Sequence, residues 1–189
     1  MKLNMLKSFL LIVTVTISLG GCGGSSDSDE LTIYRVSVAS KPMYFGVGAA
    51  STPVIDGVAV VQGGVDTVAS DIFNFDYEFG TSYELRVTQL KAAADGSDGS
   101  TQVLTDLVEV SSSEADGIGT EYVYNEVELI ENPFSDKEDG VYGFYQYEFL
   151  CADSVDCDGL VAIGDSGGLV ELIFEYTGGD VPITLVEWN

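Results

Sequence analysis

Residues 82–92 read Ser82-Tyr-Glu-Leu-Arg-Val-Thr-Gln-Leu-Lys-Ala92, and apolar and polar side chains alternate along them. Tyr83, Leu85 and Val87 fall on one side, Glu84, Arg86 and Thr88 on the other. A period of two sends successive side chains to opposite faces of a pleated strand, so this stretch predicts a strand with one face in a core. Just beyond it, Asp95-Gly-Ser-Asp-Gly-Ser100 is turn chemistry, because glycine and aspartate tolerate positive φ. The turn predicts a hairpin with residues 102–111. In the other direction, residues 31–39 (LTIYRVSVA) read as a first strand, with Ile33 and Arg35 marking its two sides only approximately. Short apolar strands are expected at 43–48 and 58–62, separated by Pro53 and Asp56-Gly57, and a helical turn within 66–73.

Further strands are expected at 121–131, 142–151, 160–163, 169–177 and 183–188. Within 142–151, Tyr145, Tyr147, Phe149 and Cys151 share a face; Leu172, Phe174 and Tyr176 do so within 169–177. Aromatic stripes at that spacing pack a core or, alternatively, form a carbohydrate-binding platform. The pattern predicts an all-β fold, an antiparallel sandwich or partly open barrel, or two small β units. The acidic stretch Ser111–Thr120 marks the seam between units 31–113 and 114–189, which either share one core or hold two.

The chain opens differently. Lys2 and Lys7 precede an apolar run from Phe9 to Leu19, followed by Gly20-Gly21-Cys22. A basic start, a short apolar core and small residues at a cleavage point are the parts of a secretory signal. The run is too short for a membrane span, which needs about 20 apolar residues. The placement of Cys22 resembles the lipobox of bacterial lipoproteins; an ordinary cleavage site with a cysteine nearby is the alternative. The resemblance implies cleavage after residue 21, lipidation of Cys22 and, because Gly23 rather than aspartate follows, anchoring at the outer membrane. Residues 22–30 then form the lipidated cysteine and a flexible polar tether.

The chain has 31 acidic and 7 basic residues among 189, a net charge of −24, and no histidine. Removing residues 1–21 takes Lys2 and Lys7 with them, so the mature balance is 5 − 31 = −26. Such a surface lacks the cations that nucleic-acid phosphates require. It serves solubility, or its carboxylates collect divalent cations. With Cys22 consumed by lipid, Cys151 and Cys157 remain, and in an oxidising compartment they predict a disulfide closing a short loop. Two cysteines without histidine are too few for zinc, and the C-x5-C spacing is not that of a redox pair.

Two motifs invite chemistry. Gly164-Asp165-Ser166-Gly167-Gly168 matches the nucleophile signature of chymotrypsin-like proteases, but a chain without histidine has no base for that serine. A turn between strands accounts for it. The second is Ser154-Val-Asp156-Cys-Asp158-Gly159, which with Asp165 places oxygen ligands at third, fifth and twelfth positions of a calcium loop. Asp156, Asp158 and Asp165 are therefore the candidate calcium ligands, with a solvated acidic turn as the alternative.

The run Asp71-Ile-Phe-Asn-Phe-Asp-Tyr-Glu-Phe-Gly80, with Tyr83-Glu-Leu-Arg-Val87 and the Asp95–Ser100 turn, resembles a domain of unknown function found in bacterial lipoproteins beside META-type domains. The chain departs from that pattern between residues 40 and 70, where cysteine and tryptophan are missing. The resemblance implies a β-rich envelope lipoprotein and no particular activity. Physically, the aromatics would pack a strand pair, with Glu78-Phe79-Gly80 turning into the strand.

These readings converge on a lipid-anchored, non-enzymatic binding or structural module with a protein partner. The alternatives are a calcium-binding surface protein using residues 153–165, and a hydrolase working through two carboxylates.

Overall fold

A computed structural model of the chain describes residues 30–44, 72–91 and 103–189, and the backbone of 53–54, 57–61 and 64–69. The expected signal, Cys22 and the expected tether up to residue 29, residues 45–48 and the expected turn at 95–100 lie outside them. In chain order the first strands are β1 (Glu30–Val38), β2 (Met43–Tyr44), β3 (Pro53–Val54), β4 (Gly57–Val61), β5 (Gly64–Ala69), β6 (Thr81–Lys91) and β7 (Val103–Ala115). Then come β8 (Glu121–Glu128), β9 (Phe134–Asp136), β10 (Val141–Phe144), β11 (Tyr147–Cys151), the helix α1 (Cys157–Ala162), β12 (Leu169–Tyr176) and β13 (Ile183–Trp188).

The fold is all-β. One sheet has the order β5-β4-β1-β6-β7 and is antiparallel throughout. The other has the order β8-β12-β13-β11-β10-β9, with β11 and β13 its parallel pair. The alternation read from residues 82–92 decides the first sheet: Leu85 and Val87 are buried, and their neighbours Glu84, Arg86 and Thr88 face outward. β6 pairs with β7 from Thr81↔Ala115 to Lys91↔Val103, the expected hairpin, with two register shifts and an end beyond residue 111.

Four expectations are corrected. Residues 66–69 belong to β5, not to a helical turn. The stretch 142–151 is two strands, because Tyr145 takes φ +53° and reverses the chain between β10 and β11. Residues 160–163 are not a strand: Cys157 and Leu160, buried at helical spacing, sit on α1. On β1, Ile33 and Arg35 share a face, opposite the buried Val36 and Val38.

Each sheet covers its own cluster. Under the first lie Val36, Val38, Leu85 and Val87, with Ile72, Phe75 and Tyr77 packed against them. Under the second lie Phe134, Phe144, Phe149, Leu172, Phe174 and Leu185, fully or almost fully buried. Tyr147, Phe149, Phe174 and Tyr176 thus belong to a core and not to an exposed carbohydrate platform.

Residues 76–80 join the two layers. Tyr77 packs against both clusters. Phe79, 3 % exposed, stands within the second, its ring 5.0 Å from that of Tyr122 and 5.6 Å from that of Tyr147. Gly80 follows at φ +86°, its N–H donating to the Ser40 carbonyl and its carbonyl accepting from the Asp116 N–H. A Cβ there would lie 2.3 Å from Tyr176 Cδ2, so the approach of the two sheets requires glycine.

Candidate functional site

The acidic loop around the disulfide is a packed knuckle. The Cys151–Cys157 bond ties the end of β11 to the first residue of α1. Asp156 is the N-cap of α1, its Oδ1 accepting from the Gly159 N–H at 2.8 Å. An N-cap carboxylate satisfies a donor that a helix start leaves without a partner. Asp158 accepts from the Tyr142 hydroxyl at 2.8 Å, which holds the Tyr142 pKa above its ordinary value. Asp165 accepts from the Glu131 N–H at 3.3 Å. The three candidate calcium ligands are engaged separately, and among the described residues no three acidic or cysteine side chains gather to hold an ion. Ser166 lies in the turn after α1, exposed, with Gly167 at φ +74°.

The outer face of the five-stranded sheet is a more developed surface. Its rows follow from the registers of β1, β6 and β7. At the end where β1 begins, Leu31, Leu90 and Leu104 stand side by side, with Leu31 66 % and Leu104 43 % exposed. Ile33, 60 % exposed, lies next to Thr88, which pairs on its other side with Asp106. The third row is Arg35, Arg86 and Glu109, with Arg86 bonded to Glu109 at 3.1 Å. The fourth is Ser37, Glu84 and Ser112, with Ser37 Oγ donating to Glu84 Oε1 at 2.6 Å.

Above that row is a half-open recess of about 400 Å³, floored by Ser37, Ser82, Glu84, Ser112 and Glu114 and walled by Lys41. The Lys41 ammonium donates to the Val123 carbonyl and stands 4.3 Å from the centre of the Tyr124 ring. Burial holds its pKa below the ordinary lysine value. The Tyr124 hydroxyl donates to the Pro42 carbonyl and the Glu128 N–H to the Tyr44 hydroxyl, so residues 41–44 cover the edge of β8. The Ser82 hydroxyl donates to the Glu114 carbonyl rather than to the amine. The recess offers hydroxyls and carboxylates for polar contact but assembles no serine–lysine pair.

The sequence reading placed Phe79 only in a turn into β6, and it missed the seat of that ring in the second core, the contacts of Lys41 and the Arg35–Arg86–Glu109 row. The row had a signal: the only two arginines of the chain occupy outward positions of two strands recognised as strands. Lys41 and Phe79 had none, since their roles come from contacts between the sheets.

No protein-family model matches this chain, and neither does any curated protein or solved structure.

Proposed function

We propose that this chain is a lipid-anchored envelope protein, held at the outer membrane through Cys22, and that it acts there as a non-enzymatic binding or structural module. The observation that carries the anchor is cysteine arithmetic. The chain has three cysteines, and the Cys151–Cys157 bond uses two, leaving Cys22 as the remaining thiol at the junction where a lipid would be attached. A disulfide also suits an oxidising compartment reached through a secretory signal. The binding reading is supported by the outer face of the first sheet, where aliphatic side chains and arginines stand exposed together. Arginine flanked by apolar surface is a composition favoured at protein contacts.

The test is metabolic labelling of the full chain with a palmitate analogue, followed by membrane fractionation. Label and outer-membrane recovery are expected for the parent and are lost with Cys22→Ser. Equal labelling of Cys22→Ser, or a parent recovered unlabelled in the soluble fraction, would contradict the anchor.

A further inference from the structure

The six-stranded sheet ends in two edges, β9 and β8. β9 has 3 residues, too few to template another strand, whereas β8 has 8. Tyr122-Val-Tyr124 of β8 carries the aromatic and β-branched side chains that strands favour, and Val123 is 37 % exposed. An edge of that length and composition recruits strands from other chains unless something covers it. Among the described residues, side chains and backbone of 41–44 supply the cover. The Lys41 ammonium donates to the Val123 carbonyl, the Tyr124 hydroxyl to the Pro42 carbonyl, and the Glu128 N–H to the Tyr44 hydroxyl. Lys41 is the unexpected member. Glu84 and Glu114 line the recess that it walls, in a chain of 31 acidic and 7 basic residues, yet among the described residues Lys41 makes no ion pair. Its charge is directed at an edge carbonyl and at the face of Tyr124.

We propose that residues 41–44 are an autoinhibitory guard, in which Lys41 keeps β8 from pairing antiparallel with β8 of a second copy. The register of that pairing follows from the backbone. In an antiparallel ladder, two residues of a hydrogen-bonded pair exchange both of their N–H and carbonyl bonds. The Val123 carbonyl faces Lys41 and therefore the open edge. A two-fold axis through Val123 would set it against Val123 of the second copy as such a pair, an isologous contact. About that axis Tyr122 meets Tyr124 and Glu121 meets Asn125, with no like charges opposed. The axis stands perpendicular to the sheet, so the buried rings of Tyr122 and Tyr124 would stay on one side in both copies. Pairing would stop at Glu126, which takes φ +55° where the ladder to β12 shifts register. The acceptor at the centre of this self-pairing is the one that Lys41 occupies. The guard is independent of the lipid anchor.

The test is cross-linking of the full chain in cells with a short bismaleimide through Val123→Cys, with the parent as control for Cys22. On the axis the two Cα atoms would stand about 5.5 Å apart, within reach of the reagent. With Lys41 in place, the yield of dimer should stay near that of the control. Adding Lys41→Ala should raise it about tenfold or more, the change expected when one hydrogen bond from a charged donor is lost. Lys41→Arg in its stead should hold the yield at the control level, because a guanidinium also donates to carbonyls and stacks on rings. Leu150→Cys on β11, likewise 37 % exposed, reports general loosening and should not respond to Lys41→Ala. Equal yields from Val123→Cys with and without Lys41→Ala, or a rise shared by Leu150→Cys, would overturn the proposal.

Discussion

The two sheets obey the same alternation but are held together by different means. The six-stranded sheet encloses an interlocked set of rings, in which Phe174 lies 5.3 Å from Phe149, 5.8 Å from Phe144 and 6.1 Å from Tyr124. The described core of the five-stranded sheet is aliphatic, with Val36, Val38, Leu85 and Val87 covered by the irregular segment 72–77. Aromatic side chains bury large areas and add edge-to-face attraction, so the ring cluster is the stronger of the two. The comparison teaches that the first sheet's stability is borrowed across residues 76–80. Tyr77 touches both cores, Phe79 is planted in the second, and Gly80 permits the approach.

The largest expected effect comes from cutting that link. Phe79→Ala should destabilise the chain by about 3–5 kcal/mol, the usual range for a buried phenylalanine, measured by urea unfolding. A loss near zero would mean that the sheets stand independently.

Alkaline pH loads the same junction. Burial raises the pKa values of Tyr77 and Tyr124 well above the ordinary tyrosine value. The folded state therefore keeps protons that the unfolded chain releases near about pH 10. Stability from these hydroxyls is fully present below that pH and is lost as pH rises above it. Linkage sets the loss at about 1.4 kcal/mol per pH unit for each, or about 3 kcal/mol for the pair by about pH 11. Urea midpoints at about pH 9 and about pH 11, followed through Trp188 fluorescence, will check it; a flat profile would show that the hydroxyls are solvated.

Replacing Cys151 and Cys157 together by alanine removes a bridge that lies on the side of the second sheet, between β11 and α1. The bridge spans a sequence separation of 6, and so short a loop contributes about 2 kcal/mol by chain entropy. Thermal melts should move by that equivalent, with β6 amide protection lowered no more than that of β12. The smallest effect is Asp156→Ala, which removes the cap of α1 and should cost about 1 kcal/mol. The same melt with and without calcium gives a second reading, and an ion-selective shift lost in this variant would support the metal interpretation of the loop.

How much was legible depended on whether the determinants were local. β6 was readable because Leu85 and Val87 are buried while Glu84 and Arg86 are not, which is the alternation itself. The β10–β11 reversal was hidden because Tyr145, without glycine or asparagine beside it, adopts the left-handed turn that those residues ordinarily mark. In α1 only Cys157 and Leu160 are buried, too few for a helical stripe to rise above the acidic residues around them. The disulfide followed from counting. The outer-face rows could not be read, because a register between β1, β6 and β7 is needed before Arg35, Arg86 and Glu109 become neighbours.

The most direct measurement is amide hydrogen exchange on the full chain, comparing the parent with Phe79→Ala. If residues 76–80 join the sheets into one cooperative unit, protection will fall together in β6 and β12, although Phe79 belongs to neither strand. A fall in β12 with β6 unchanged, or the reverse, would show two independently stable sheets and contradict the account.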